Sequence, residues 1–268
     1  MDASKLKGIF EELYTRFNKR EFIHPDPLEF LYNYSDPMDR EIAGIIASSL
    51  AYGKVGQILK SVKRVLAMLP VPRESLARLN LPELLDIFEG FRHRFTTGRE
   101  LAIFLLGIKK IIEAHGSLEN HLMSCISPSD TTIIPALCRF TQGICAASNV
   151  KTMYLLPDPA RGSACKRPLL FLRWMIRRDQ VDPGGWSGIS PSMLVVPLDT
   201  HMFRIAKGLG FTCRNHADLR ASIEITNKFK EINPNDPTKY DFVLTRFGIR
   251  PEMDCAALID SLKNSQNF

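Results

Sequence analysis

Almost every stretch of this 268-residue chain repeats its apolar residues at the spacing of an α-helix, and none alternates them over the length of a half-buried strand. Leu6, Ile9, Phe10, Leu13 and Phe17 fall on one side of a helix expected over 1–22. Ile42, Ile45, Ile46, Ser49 and Leu50 do the same within 39–52, as do Ile58, Leu59, Val62, Leu66 and Leu69 within 55–69, a segment that Pro70 and Pro72 close. Further helices are expected over 28–34, 82–88, 98–115, 117–126 and 131–148. The best strand candidate, the apolar run 193–196, is too short and isolated to build a sheet. A chain patterned this way buries its apolar faces by packing helix on helix, so the expected fold class is all-α.

Charge narrows the class of partner. The net charge is +6 and the sequence pI about 9.0, a balance that suits a polyanion. No apolar run reaches the roughly 18 residues a membrane span needs. The N-terminal helix lacks the continuous apolar core and cleavage site of a signal peptide, so the expected location is cytoplasmic. Six cysteines, Cys125, Cys138, Cys145, Cys165, Cys213 and Cys255, contain no CxxC pair and read as reduced thiols, with no zinc or iron–sulfur site expected.

Two segments concentrate the chemistry. Val196-Pro197-Leu198-Asp199-Thr200-His201 runs into an amphipathic helix with Met202, Ile205, Ala206 and Leu209 on one face and Gly210 behind it. Asp199 stands at the N-cap, where free amides and the helix dipole favour an anion. It reads either as a cap alone or as a carboxylate held ready for electrostatic work. Upstream, Leu156-Pro157-Asp158-Pro159-Ala160-Arg161-Gly162-Ser163 leads into a helix carrying Lys166, Arg167 and Pro168. Ser163 is the expected N-cap, and Arg161 and Arg167 beside the free amides make an anion site suited to a DNA phosphate. Lys166 reads as a phosphate or surface lysine, or as a nucleophile.

The run 196–201, followed by Phe203-Arg204-Ile205-Ala206, resembles the helix that carries the catalytic aspartate of the helix-hairpin-helix DNA glycosylases, the endonuclease III superfamily. Residues 42–54 resemble an early superfamily helix whose end faces DNA, and 240–248 resemble its closing helix; the likeness covers roughly 40–70 and 155–250. The usual Leu-Pro-Gly-Val-Gly-x-Lys hairpin is absent. Lys166 and Asp199 are 33 residues apart, with Pro183-Gly184-Gly185-Trp186 between them, a spacing most similar to the archaeal 8-oxoguanine DNA glycosylase branch. The chain, particularly 156–167, also resembles an uncharacterised bacterial family of conserved hypothetical proteins, a likeness that brings no function.

The glycosylase resemblance implies a single unit over 1–268, with one lobe over about 40–150 and a second formed by about 1–39 plus 151–268, the active site lying in the cleft between them. It implies a DNA glycosylase with AP lyase activity that excises a damaged base, such as an oxidised purine, in base-excision repair. Lys166 and Asp199 would be catalytic. Arg161, Gly162, Ser163 and Arg167, with Ser49, Leu50, Tyr52 and Lys54, would contact DNA, while Trp186, His201, Phe91 and Arg92 are candidates for the base pocket or its surround. No redox or nucleotide cofactor is implied; the superfamily allows a monovalent cation on hairpin carbonyls, and with only Cys255 near the C-terminus its four-cysteine cluster is not expected. The implied partner is double-stranded DNA and the implied state a monomer. The same residues admit plainer readings: a loop tryptophan tucked against a helix, a solvated His201, a turn at 91–95 anchored by two phenylalanines. Two rivals stay open, a non-catalytic nucleic-acid-binding protein on this scaffold and a helical interaction protein whose charge is incidental.

Overall fold

The computed structural model describes residues 3–250 and 252–264, and the chain is all-α. Along the first half run α1 (Ala3–Phe17), α2 (Pro37–Ser49), α3 (Val55–Ala67), α4 (Pro72–Arg78), α5 (Leu81–Ile87), α6 (Gly98–His115), α7 (Leu118–Ser124) and α8 (Ile134–Ala147). The second half holds α9 (Lys166–Ile176), α10 (Thr200–Gly208), α11 (Leu219–Ile232), α12 (Asp241–Ile249) and α13 (Cys255–Asn264). Single 3-10 turns and short 3-10 helices fill some of the gaps, including Pro27–Asn33, Pro159–Arg161 and Pro191–Met193. No helix among the described residues is long and apolar enough to cross a membrane.

Local chemistry sets many of the boundaries. Asn80 with Glu83 and Thr97 with Glu100 form capping boxes that start α5 and α6. Pro37 and Pro72 sit in the first helical positions of α2 and α4, where a missing N–H costs nothing. Pro72 therefore opens a helix that the sequence reading left out by treating it only as a stop. Asp26 caps the 3-10 helix Pro27–Asn33, which replaces the α-helix expected over 28–34. The run 193–196 forms no strand: Met193 closes the 3-10 helix, and 194–196 follow it without regular structure, starting from an extended Leu194. A strand pair forms instead at 92–97, where β1 (Arg92–His93) pairs antiparallel with β2 (Thr96–Thr97) around a tip of Arg94 and Phe95. The N-terminal helix ends at Phe17 rather than reaching 22, and its expected start at Met1 and Asp2 lies outside the described residues.

Two clusters of buried apolar side chains organise the molecule. The larger draws on α2, α3, α5, α6, α8 and α9, with α2 buried without a break from Glu41 to Ser49. The smaller gathers α1 against α10, α11, α12 and α13, with Phe10 stacked near Phe229 and Tyr240 at 6.0 and 5.2 Å between ring centres. Each buried Leu, Ile or Phe contributes roughly 1.5–3 kcal/mol through removal from water. The clusters meet along α12, which gives Phe242 and Val243 to the larger one and Leu244, with its N-cap Tyr240, to the smaller.

A buried ionic network crosses this junction. Arg173, one face of α9, pairs with Asp182 at 3.2 Å and with Asp241 at the start of α12. Arg177 pairs with Asp182, with Asp179 at 2.8 Å and with Asp236 at 2.8 Å, and the Tyr14 hydroxyl of α1 donates to Asp179. Burying so many charges is tolerable only because the guanidinium forks meet carboxylates on several sides. The network fixes the buried end of α9 against α12 and α1, and so sets where the other end of α9 points.

Candidate active site

The beginnings of two helices from different clusters converge. Lys166 is the first residue of α9, and Asp199 is the N-cap of α10. The Lys166 Nζ lies 3.5 Å from Asp199 Oδ2, although 33 residues separate them in the chain. Asp199 Oδ1 accepts from the backbone amides of His201 at 2.9 Å and Met202 at 2.8 Å. One carboxylate oxygen therefore caps the helix while the other faces the amine. The Lys166 side chain keeps 36% of its exposure and that of Asp199 only 14%, so the amine is reachable and the carboxylate largely covered.

The start of α9 corrects the expectation that Ser163 caps it. Pro168 has no N–H to bond back to Ala164, so the helical ladder begins with the Leu169 amide donating to the Cys165 carbonyl at 3.1 Å. Cys165 takes the N-cap position in a left-handed conformation, and burial pushes its thiol up to about 11. Ser163 instead forms an isolated antiparallel bridge with Asp218. The lead-in is a 3-10 turn ending at Gly162, whose positive φ of 79° turns the chain toward α11. The Asp158, Pro159 and Gly162 carbonyls accept from Arg161, Gly162 and Leu219 amides, and Pro157 from the Cys165 thiol. Each of these carbonyls accepts one hydrogen bond from the chain itself. No group of three or more His, Cys, Asp or Glu side chains is arranged for a metal among the described residues.

Lys166 borders two cavities. One, about 360 Å³, holds both Lys166 and Asp199, with Asp26, Leu170, His201 and Ile249 among its walls. His201 leans over Gly248, where an added Cβ would stand 2.3 Å from its Nδ1; only glycine leaves the imidazole room. The other cavity, about 600 Å³, is bordered by Tyr52, Tyr154, Gln142, Asp158 and Arg161. Arg167 forms part of that wall, donating to the Ser49 carbonyl at 2.9 Å and the Tyr154 carbonyl at 2.5 Å, its guanidinium over both tyrosine rings. It acts as a strut of the scaffold, with two of its five N–H donors committed to these carbonyls. Arg161, Gly162 and Ser163 are exposed beside it.

The remaining residues singled out in the sequence separate into interior and surface. Ser49 at the end of α2 and its C-cap Leu50 are buried, which keeps their side chains from a bound strand, whereas Lys54 lies in the exposed stretch 53–57 that follows. Tyr52 is half-buried, its hydroxyl bonded to the His93 carbonyl at 2.9 Å and to Thr96. Trp186 is buried, donating to Glu41 at 3.0 Å with its ring edge-on to Phe171, so it lies in the core and not in a base pocket. Phe91 is also core, packed on Phe88, while Arg92 is exposed. Of the two phenylalanines read as anchors at 91–95, only Phe91 anchors. Phe95 is 67% exposed at the hairpin tip, 6.0 Å from the Tyr154 ring, with Arg94 over it.

Two residues of this region were missed in the sequence: Asp26 stands in the turn-rich stretch 24–27 and Tyr154 in an aperiodic one. Phe95 was read together with its neighbour Phe91. Behind Asp199, burial pushes Asp241 up to about 6, Arg173 beside it acting in the opposite direction and the Asp199 charge adding to the rise.

Residues 26–250 match the family described as a protein of unknown function (DUF2400). No curated protein and no solved structure matches this chain.

Proposed function

This chain belongs to that family, which carries no activity with it, and from the geometry of the cleft we propose that it is a DNA glycosylase with AP lyase activity on a two-lobed helix-hairpin-helix scaffold. The observation that carries the reading is the approach of Lys166 Nζ to Asp199 Oδ2, within one cavity open to solvent. Cleavage of an N-glycosidic bond builds positive charge on the sugar, and the free oxygen of Asp199 would stabilise it. With Asp199 kept as the carboxylate, the neutral lysine amine, its ammonium proton released to solvent, would attack C1′ as the base departs with the bonding electrons and takes up the proton that the attacking amine then sheds. Ring opening then yields a Schiff base, and β-elimination breaks the C3′–O bond of the strand. Arg161, Lys54 and the exposed hairpin would hold the duplex, with phosphates neutralised by the basic side chains.

The exposed pair Phe95 and Tyr154, flanked by Arg94, favours a second reading as well: nucleic-acid binding by stacking, without chemistry. Borohydride trapping on an abasic-site duplex separates the two. A Schiff base is reduced to a permanent protein–DNA link, so the natural sequence should trap and Lys166→Gln should not, while still binding duplex. Trapping that persists in Lys166→Gln assigns the chemistry to another amine. Duplex binding with neither trapping nor base release supports the binding module.

A further inference from the structure

A second carboxylate lines the cavity that holds Lys166 and Asp199. Asp26 comes from the turn ahead of α2, far in sequence from both, and its side chain keeps 19% of its exposure. Its Oδ1 accepts the Leu28 amide at 3.0 Å and its Oδ2 accepts from Arg246 at 2.9 Å. Arg246 is 3% exposed and its guanidinium lies 4.4 Å over the Phe242 ring, so it cannot swing out to water. The carboxylate is thus locked at both oxygens, charged, and still bordering the cavity. The walls also include apolar Pro25, Pro27, Leu170 and Ile249 and polar Thr200 and His201.

Resting on the reading above, C1′ of an extruded nucleotide must lie within reach of Lys166, and the base occupies the rest of this cavity. We propose that Asp26 is a specificity-determining residue that selects bases presenting an N–H donor to it and rejects those presenting a lone pair there. An ionised carboxylate only accepts hydrogen bonds. A lactam edge, with its ring N–H, satisfies it. A lactim ether places a ring nitrogen lone pair in the same position, against an oxygen lone pair and with no proton between them, so the ring nitrogen goes unpaired and the contact is repulsive.

The test compares base release and abasic-site trapping on duplexes carrying uracil, hypoxanthine, 8-oxoguanine or O6-methylguanine, the last being the lactim ether. Asp26→Asn alone strands the Arg246 charge, so the main variant is Asp26→Asn with Arg246→Met, which removes both charges together. Asn keeps an oxygen for the Leu28 amide and puts an NH2 where the carboxylate oxygen met Arg246. The natural sequence should release lactam bases and spare O6-methylguanine. In the double variant the ratio of lactam release to trapping should fall at least tenfold, and release of O6-methylguanine should rise. A ratio unchanged within twofold, or a natural protein that releases O6-methylguanine as readily as the lactams, overturns the role of Asp26 while leaving the enzyme reading intact. Trapping without release of any base also overturns it and leaves the lyase. Absence of both trapping and release from the natural protein removes the enzyme reading, and this inference with it.

Discussion

Replacing Asp199 with Asn separates its two tasks, because the amide keeps the oxygen that caps α10 and loses the one that faces Lys166. Folding should survive, as Asn caps about as well as Asp. Single-turnover base release should fall by about a hundredfold or more, the scale of losing one transition-state electrostatic contact; equal rates would leave Asp199 a cap only. Glu41 makes a separate prediction. It is 1% exposed and accepts from the Leu118 amide at 2.9 Å and from Trp186, and burial pushes its carboxyl up to about 7 from an ordinary 4.5. The folded value lies above the unfolded one, so its contribution is complete below about pH 4.5 and is lost as pH rises through 7. At about 1.4 kcal/mol per pKa unit, urea unfolding should show stability dropping by a few kcal/mol from pH 5 to 8. Glu41→Gln should flatten that slope and cost about 1–3 kcal/mol at pH 5, since its NH2 meets an N–H donor. A slope that survives the substitution would place the titration elsewhere.

At the scale of elements, α9 carries both a strut and an exposed end. Arg167→Ala removes two hydrogen bonds and the stack on Tyr52 and Tyr154, and should destabilise the fold by about 1–3 kcal/mol without changing the salt dependence of duplex binding. Arg161→Ala should leave stability alone and lower the slope of log affinity against log salt by about 0.9, one phosphate's worth. Fluorescence anisotropy across a salt series reads the second effect, and a slope unmoved by Arg161→Ala would exclude it from the interface. The contrast also measures what was legible in the sequence. The helices of the core were readable because apolar spacing reports one buried face directly, and the α10 start was readable because Asp199 and the periodic residues behind it agree. The direction of Arg167 was not, because a guanidinium beside a helix start looks the same whether it meets water or two carbonyls contributed by residues 118 and 13 positions away. Asp26 was hidden for the same reason: its place in the cavity depends on α12, more than two hundred residues downstream.

Across the whole molecule, the ionic network at the junction is where a single change should spread furthest. Asp182 is fully buried and serves both Arg173 and Arg177. Asp182→Asn should cost about 3–5 kcal/mol, the usual penalty for stranding a buried partner. A loss under 1 kcal/mol in chemical denaturation would mean that the remaining carboxylates take over both arginines. Lys166 and Asp199 stand at the starts of helices from two different apolar clusters, and that has a practical reach beyond stability. The lysine–carboxylate gap works as a vernier for the alignment of those clusters: an offset of an ångström at the seam would scarcely register in helix content but would put the amine out of line with its target, where such offsets weaken chemistry by about a hundredfold. Warming the protein should therefore silence trapping at a temperature below the one at which its circular dichroism changes, and the interval between the two would gauge how firmly the seam is closed.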